Sequence, residues 1–335
     1  MKRNIIHSLV LLLIAGLAAS CSKEVPEHGG GIRLEPKIGE GYTDTKTSIY
    51  SDSEFPKEDY FHVNAFLSDA GGAAKPFFDS DVSWLEVVND QETIKEWRFF
   101  DPSDGNYKNY YFPIEGTVDF FAYVPQEYVK VDETTNPPTF SVEMPEFDSQ
   151  TDDIKEFMYA YTPEKSKEEP QVPLEFEHPF AAIRFEVGQA HRDLTIRKMG
   201  FKGIYHTGKC TVREKDDRYI PEWILESSGD KTIYVDKIIP GDINFGGPIG
   251  YTYIVLPQTL EEMTFVIEYH WFDNDNDTSD DEHEVEMQMS RLHTEWEAGR
   301  IYTYSLDLGN SAEEILFNVD VEPWNHTYDY TFEIK

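Results

Sequence analysis

Alternation between apolar and polar residues runs through most of this chain, and it limits the possible folds more than any other feature. One run places Ile183, Phe185 and Val187 on one side and Arg184 and Glu186 on the other. This period of two is typical of strands with one face on a core, whereas a helix repeats about every 3.6 residues. The same period recurs at 118–122, 263–271, 285–289, 302–308, 317–321 and 328–334.

The proline and glycine residues between these runs also favour short strands. The chain contains 19 prolines and 21 glycines, residues that end strands and form turns. Runs 263–271 and 285–289 flank the polar tract DNDNDTSDDE, an arrangement that predicts a hairpin. Only the segment DDIKEFMYAY, residues 152–161, predicts a short helix. The fold class predicted from these patterns is all-β.

The length and one shift in composition predict two domains. Mature chains of about 300 residues commonly form two domains rather than one. A charged stretch bounded by prolines, TPEKSKEEPQVP at 162–173, lies between two strand-rich halves. We therefore predict one β-sandwich domain over 34–170 and a second over 171–335, joined within about ten residues of this stretch.

The N-terminus has the pattern of an export signal. Lys2 and Arg3 precede an apolar stretch, 5–19, that ends in small residues. Residues 1–20 are therefore predicted to be a signal peptide and not a spanning helix. The string LAASC places Cys21 where bacterial lipoproteins carry lipid, although Leu17 stands one residue earlier than the usual pattern. We expect lipidation of Cys21, with ordinary signal cleavage as the alternative.

The chain has only one other cysteine, Cys210. Once Cys21 carries lipid, Cys210 has no partner cysteine in the chain, so an internal disulfide framework is excluded. Cys210 stands in the strand-like string GIYHTGKCTV and is interpreted as a small buried hydrophobic residue. A reactive thiol, assisted by His206 and Lys209, is the alternative. Residues 21–33 are interpreted as a tether or propeptide that leads to the first strand.

The charge balance excludes one class of partner. The chain has 29 lysines and arginines against 64 acidic residues, a net charge of −35. Binding to nucleic acid requires clusters of basic residues, and the sequence has none. Such acidity is instead typical of a soluble, exposed surface protein.

The acidic string that begins at Asp273, between the two runs of the predicted hairpin, has the spacing of a calcium loop. An EF-hand loop places oxygen ligands at positions 1, 3, 5 and 12 around the cation. Thr278 occupies the position where the sharp turn of that loop requires glycine, and the flanking runs are strands instead of helices. We therefore interpret the string as a solvated hairpin tip and predict no metal. The candidate ligands are Asp273, Asp275, Asp277 and Glu284.

No catalytic constellation is recognisable in the sequence. The ten histidines form no HExxH motif or zinc-type pair with cysteine, and there is no GxSxG elbow. His178, in FEHPFAAIRF, is interpreted as a structural histidine bonded to the backbone rather than as a ligand or base. We expect a protein that is not an enzyme and that needs no cofactor.

Several strings in a fixed order resemble the fimbrillin family, the lipoprotein pilus subunits of Bacteroides-type anaerobes. The individual strings are loose, but the resemblance covers the chain from about residue 31 to residue 325. The strings are FHVNAF (61–66), YYFPIEGTVDFFAYVP (110–125), MYAY (158–161), VPLEFEHPFAAIRFEV (172–187), WEAGRIYTYSLDL (296–308) and VDVEPWN (319–325).

The resemblance implies two tandem transthyretin-like β-sandwich domains and export as a lipidated precursor to the outer membrane. It further implies that a trypsin-like protease cuts after an arginine or lysine and removes the first strand. A strand from the next subunit then fills the groove, so that a sheet edge is completed by another chain. The implied partners are other fimbrial subunits, an outer-membrane lipid anchor and a ligand on a host or bacterial surface.

Two parts of this sequence match these roles. Arg33 and Lys46 are the candidate processing sites, since a cut after either would release the chain from its lipidated leader. The alternative for Arg33 is an ordinary linker residue in a permanently anchored protein. The C-terminal segment is the candidate donor strand. The alternative is that this segment forms the last strand of the chain's own second domain. The candidate donor residues, which alternate with polar ones, are Tyr328, Tyr330, Phe332 and Ile334.

The sequence leaves two questions of function open. Stalk, tip and anchor positions in a fibre are all compatible with it, although only eleven residues follow Trp324. A second hypothesis is a cell-surface glycan-binding lipoprotein, which would stack sugars on some of the six tryptophans and twenty tyrosines.

Overall fold

The computed structural model of the chain consists of β-strands and two short 3₁₀ turns across the part that it describes. The turns lie at Phe147–Ser149 and Met289–Arg291. Across all the residues that the structure describes, no helix has the length and apolar character needed to cross a membrane. The described residues are 31–39, 53–57, 59–68, 73–88, 93–103, 105–150, 156–191, 193–215, 218–241, 243–271, 282–309 and 315–324.

The strands follow one another at short intervals. The first ten are β1 (Arg33–Ile38), β2 (Ser53–Glu54), β3 (Tyr60–Ser68), β4 (Lys75–Val88), β5 (Thr93–Asp101), β6 (Asn106–Tyr107), β7 (Thr117–Tyr123), β8 (Val129–Asp132), β9 (Thr139–Glu143) and β10 (Tyr159–Lys165). The others are β11 (Gln171–Phe176), β12 (Ala181–Ala190), β13 (Leu194–Lys215), β14 (Arg218–Ile239), β15 (Ile243–Val255), β16 (Gln258–Thr259), β17 (Thr264–Trp271), β18 (Glu282–Gln288), β19 (Glu295–Trp296), β20 (Arg300–Leu308) and β21 (Ile315–Pro323).

Two sheets enclose the first apolar core. The larger sheet has the order β10-β7-β3-β4-β5-β6, and the smaller one has the order β11-β1-β2. Alternate side chains of β3, Phe61, Val63 and Ala65, are almost inaccessible to solvent. They belong to one buried cluster with Val172 and Phe176 of the smaller sheet. Each large apolar side chain buried in this way contributes about 1.5–3 kcal/mol to the free energy of folding.

A second core lies between the two main sheets of the C-terminal half. One has the order β15-β12-β20-β21, and the other has the order β18-β17-β13-β9-β8, with β14 paired to β13. Phe185 of β12 stacks on Phe265 of β17 at a centroid distance of 5.3 Å and on Tyr304 of β20 at 5.7 Å. The alternation at 183–187 therefore places apolar side chains against the facing sheet.

Strand pairing and packing connect the two halves of the chain. β9 pairs with β13 of the C-terminal half, and β11 pairs with β1 of the N-terminal half. A third buried cluster combines Phe121 of β7 and Phe157 with Trp324 at the end of the described chain. The domain limits 34–170 and 171–335 therefore stay a prediction, since strands on either side of residue 170 contribute to sheets of the other half.

The predicted all-β fold class is confirmed, because the strands fill both halves and form sheets with buried inner faces. The predicted hairpin is confirmed as the antiparallel pair β17–β18, in register from Thr264 opposite Gln288 to His270 opposite Glu282. The tip of this hairpin, 272–281, lies outside the described residues.

The predicted helix at 152–161 is wrong where the structure describes that segment. Tyr159 to Tyr161 belong to β10, which pairs antiparallel with Tyr123 to Phe121 of β7. Tyr159 and Ala160 are both buried, because their neighbouring side chains point into different apolar clusters. A strand buried on both faces loses its period of two and can be mistaken for a helix.

The interpretation of Cys210 as a buried hydrophobic residue is confirmed. Its side chain is fully buried in β13, between Phe140 of β9 and Trp223 of β14 in register. Burial raises the pKa of the thiol well above its usual value. The neutral thiol is therefore the stable form at this position, and it is a poor nucleophile.

We expect iodoacetamide to leave Cys210 unmodified in the native chain at pH 8. Alkylation requires local opening, and an opening free energy of about 3 kcal/mol alone slows the reaction about a hundredfold. Mass spectrometry of the peptide that contains Cys210 measures the rate in native buffer and in concentrated guanidinium. Equal rates in the two solutions would contradict the burial of this thiol.

Candidate functional site

β1 fills a slot between two other strands of the small sheet. All six of its residues pair in parallel with β11, from Arg33 opposite Gln171 to Ile38 opposite Phe176. On its other side, only the last two residues of β1 pair with β2. The backbone N–H of Arg33 donates to the carbonyl of Pro170 at 2.9 Å. β1 is therefore held by a regular ladder on one edge and by a short one on the other.

The side chains of β1 alternate between the core and the solvent. Leu34, Pro36 and Ile38 are buried, whereas Arg33 and Glu35 are exposed. Pro36 lacks an N–H group, a lack that a strand tolerates at an incompletely paired edge. The exposed fraction of Leu34 is 6% and that of Ile38 is 7%. The strand thus resembles a peptide laid into a groove, with its apolar side chains inward.

A group of aromatic rings forms the floor of that groove. Phe55, Phe61 and Phe176 belong to the same buried cluster as Leu34 and Ile38. The ring centroid of Phe176 lies 4.6 Å from that of Phe55 and 5.2 Å from that of Phe61. If β1 were removed, this aromatic surface would lose part of its cover.

The structure places only some of the residues predicted as sites. Arg33 is the first residue of β1 and is exposed. Glu284 lies in β18, exposed, and in register with Glu268 of β17. The predicted lipid, processing, donor and calcium residues that fall outside the described residues are Cys21, Lys46, Tyr328, Tyr330, Phe332, Ile334, Asp273, Asp275 and Asp277. Their roles stay predictions.

Among the described residues, no three histidine, cysteine or acidic side chains are grouped so as to hold a metal ion. Asp119, a buried carboxylate in β7, is used for structure. It accepts hydrogen bonds from the Nδ2 of Asn136 and from the backbone N–H of Glu164, both at 2.7 Å. Glu164 has a left-handed φ of 56°, so this bond stabilises an irregular turn of β10.

His178 forms a buried pair with a carboxylate. Its Nδ1 lies 2.8 Å from Oε1 of Glu156, and both side chains are more than nine-tenths buried. Burial raises the pKa of Glu156, and the nearby His178 opposes that shift. The imidazole stacks on Trp324, with ring centroids 5.0 Å apart and an angle of 8° between the planes.

The predicted bond of His178 to the backbone is wrong, because the polar neighbour of its ring is the side chain of Glu156. No pattern in the sequence points to Glu156, because that residue stands in the segment predicted to be helical. The pair and Trp324 fix the end of β21, where the backbone N–H of Trp324 donates to the carbonyl of Gly299 at 2.8 Å. The first candidate donor residue, Tyr328, comes four residues after Trp324 in the chain.

Comparison with known proteins adds a family and a fold. A family model described as fimbrillin-like matches residues 50–324. A fimbrial protein from Bacteroides vulgatus has a solved structure with a TM-score of 0.53 at 13% identity, covering 88% of this chain and 100% of that chain. A candidate cell adhesion protein from Bacteroides uniformis gives 0.50 at 16% identity, covering 89% of this chain and 100% of that chain. No curated protein matches.

Proposed function

This chain belongs to the fimbrillin-like family, and on that premise we propose that it is a structural or adhesive subunit of a surface fimbrium. The observation that carries the proposal is the position of β1, a short strand with buried alternate side chains that sits in an aromatic groove. Such a strand can be replaced by one of similar pattern from another subunit. On this proposal the protein acts by assembly and adhesion rather than by catalysis.

The proposed maturation of the protein begins with its export and its anchoring in the membrane. Cys21 carries lipid and holds the precursor at the outer membrane, while the chain between Cys21 and β1 forms the tether. The predicted tether 21–33 is too long at its end, because Ile32 is buried and Arg33 belongs to β1. Processing then cuts the chain after Arg33 or Lys46. A cut after Lys46 separates all of β1 from the rest of the chain, whereas a cut after Arg33 leaves Leu34 to Ile38 attached to the body of the protein.

The geometry of β1 favours Lys46 as the cut that prepares assembly. Loss of β1 would leave an unpaired edge on β11 over six residues and would uncover apolar side chains of the first core. Unpaired backbone groups and exposed apolar surface both raise the free energy of the cut chain. A strand from another subunit that restores both would bind strongly.

The proposed donor is the C-terminal segment of another subunit. It has apolar side chains at alternate positions, as β1 has, and Asp329 and Glu333 on the other face. The donor residues are Tyr328, Tyr330, Phe332 and Ile334. The position of this subunit in the fibre depends on which of its two ends exchanges: a stalk subunit uses both ends, and an anchor keeps its lipid.

Limited trypsin treatment of the purified precursor tests this function. We expect a new N-terminus at Leu34 or Thr47, read by N-terminal sequencing, followed by higher oligomers on size-exclusion chromatography. Because only the second cut frees β1, Lys46→Gln should abolish oligomers, while Arg33→Gln should leave them unchanged.

A matched control removes a lysine that lies inside the ladder. Lys37→Gln changes the charge by the same amount, but Lys37 is paired on both edges of β1 and should be protected from trypsin. Oligomers from the Lys46→Gln variant, or digestion that gives neither new N-terminus, would contradict the strand-exchange mechanism.

A further inference from the structure

A groove lies between β1 and β5, where the two sheets of the first core do not join. The outer edge of β5 pairs with β6 only at Phe100 and Asp101, and β1 pairs with β2 only at its end. At one end of the gap the segment after β6 meets both sides, since the N–H of Lys108 donates to the carbonyl of Phe99 at 2.8 Å and the N–H of Ile32 donates to that of Tyr110 at 3.0 Å. Two adjoining clefts of about 480 and 450 Å³ occupy this gap, a size typical of ligand sites.

The lining of this groove is richer in basic side chains than the rest of the chain. Its lining contains only two acidic residues, Glu35 and Glu96, although acidic residues outnumber basic ones about two to one in the whole chain. A concentration of one sign of charge in a cleft attracts ligands of the other sign. The six cations that line it are Arg33, Lys37, Lys57, Lys95, Arg98 and Lys108.

Neighbouring carboxylates pair with several of these cations. Nζ of Lys95 lies 2.6 Å from Glu86, NH1 of Arg98 lies 2.7 Å from Glu96, and Nζ of Lys108 lies 2.6 Å from Asp101. These side chains are partly exposed, so water and salt screen each ion pair and it contributes little to stability. A stronger anionic ligand can therefore replace the carboxylate at little cost in free energy.

Aromatic side chains lie among the cations. Trp84 and Trp97 meet edge to face, with centroids 5.5 Å apart, and both line the groove. Nζ of Lys57 lies 5.0 Å from the centre of the Trp84 ring. The two indoles offer apolar surface for a sugar ring, and the ammonium group of Lys57 offers a partner for the acid group on that ring.

We propose that the groove between β1 and β5 binds an anionic polysaccharide, one that bears repeated carboxylate or sulfate groups. Sugar rings pack on the tryptophans while the acid groups contact Lys57 and Lys95. The site requires β1 in place, since β1 supplies Arg33 and Lys37, and it therefore belongs to the chain that retains residues 33–38. The proposal does not depend on strand exchange.

Affinity electrophoresis of the full, uncut chain tests the site. The gels contain polygalacturonate for carboxylate, dextran sulfate for sulfate, neutral dextran, or poly-glutamate as an acidic peptide. Because this protein has a net charge of −35, general attraction to polyanions would not slow it. We expect one or both anionic polysaccharides to retard the chain, neutral dextran to have no effect, and the retardation to fall as salt is raised.

The double variant Lys57→Gln/Lys95→Gln should weaken this binding about tenfold, as expected for the loss of two exposed ionic contacts. The matched control is Lys202→Gln/Lys209→Gln, which removes two exposed lysines paired with Glu286 and Glu226 on the C-terminal half. It should bind within about twofold of the parent chain. Circular dichroism checks that both variants fold.

Three results would overturn the proposal. One is a lack of retardation by either anionic polysaccharide, and another is an equal loss of binding in the two double variants. The third is retardation by poly-glutamate alone, which would assign the groove to an acidic peptide that pairs with the free strand edges. None of these outcomes bears on the trypsin experiment, so the two proposals fail independently.

Discussion

Replacement of Phe176 by alanine is expected to lower the free energy of unfolding by about 3–5 kcal/mol, the range for large-to-small changes at buried aromatic positions. Phe176 is fully buried in β11 and contacts Phe55 and Phe61. The truncation leaves a cavity in the groove floor under β1, and the surrounding sheets can close it only in part. Urea unfolding followed by circular dichroism measures the change.

The matched control is Phe77→Ala in β4. Phe77 is 37% exposed, and its one described ring contact is with Phe78 at 5.3 Å. The same deletion there should cost no more than about 1 kcal/mol, because the side chain already faces water. Equal losses in the two variants would mean that β11 does not complete the first core.

Much of this fold is predictable from local patterns in the sequence. Ile183, Phe185 and Val187 alternate with polar residues because the outer face of β12 meets a different environment from its inner face. The hairpin β17–β18 was equally predictable, since two alternating runs flank one polar tract. Both features depend on interactions between neighbours in sequence or between the two faces of one strand, which a single sequence records directly.

The pairing of distant strands was not predictable in the same way. β1 and β11 are adjacent and parallel although more than a hundred residues separate them, and no local signal specifies that register. Phe121 of β7 packs with the third cluster while Phe120 packs with the first. A strand buried on both faces shows no alternation, so its two partners cannot be read from its pattern.

The candidate sites also differ in whether they depend on local sequence or on the pairing of distant strands. Arg33 was predicted because a processing site is a feature of the chain itself, which a family resemblance can locate. The cations of the groove come from β1, β5 and the segments that lead to β3 and follow β6. They have no distinctive pattern in sequence and form a positive surface only after folding. Sites made by several strands require the register, which the sequence does not supply.

The second large effect is expected at the buried pair of Glu156 and His178. His178→Leu should lower the free energy of unfolding by about 3 kcal/mol at pH 7.5, because it leaves the buried carboxyl group of Glu156 without the ring nitrogen that lies 2.8 Å from it. It also removes the ring that stacks on Trp324. The variant Glu156→Gln/His178→Leu should recover part of this loss at the same pH, since a neutral amide costs less to bury than a carboxylate.

The pH dependence of the single variant is set by the direction of one pKa. Burial raises the pKa of Glu156 above its ordinary value of 4.5. Between the unfolded and folded values the native state binds more protons, so stability rises as the pH falls through this window. Without the opposing effect of His178 the shift is larger. The deficit of His178→Leu should therefore be greatest at pH 7.5 and should shrink toward pH 5.

A matched substitution at an exposed histidine separates this effect from a general one. His191 lies outside the cores, and His191→Leu should change stability by no more than about 0.5 kcal/mol at either pH. A deficit of His178→Leu that stays constant with pH, and that the second substitution does not relieve, would mean that the loss comes only from the stacking on Trp324. Urea unfolding of the four chains at pH 5 and 7.5 decides between them. Trp324 precedes the proposed donor segment in the chain. A loss of stability that depends on pH would therefore link the anchoring of that segment to the protonation of Glu156.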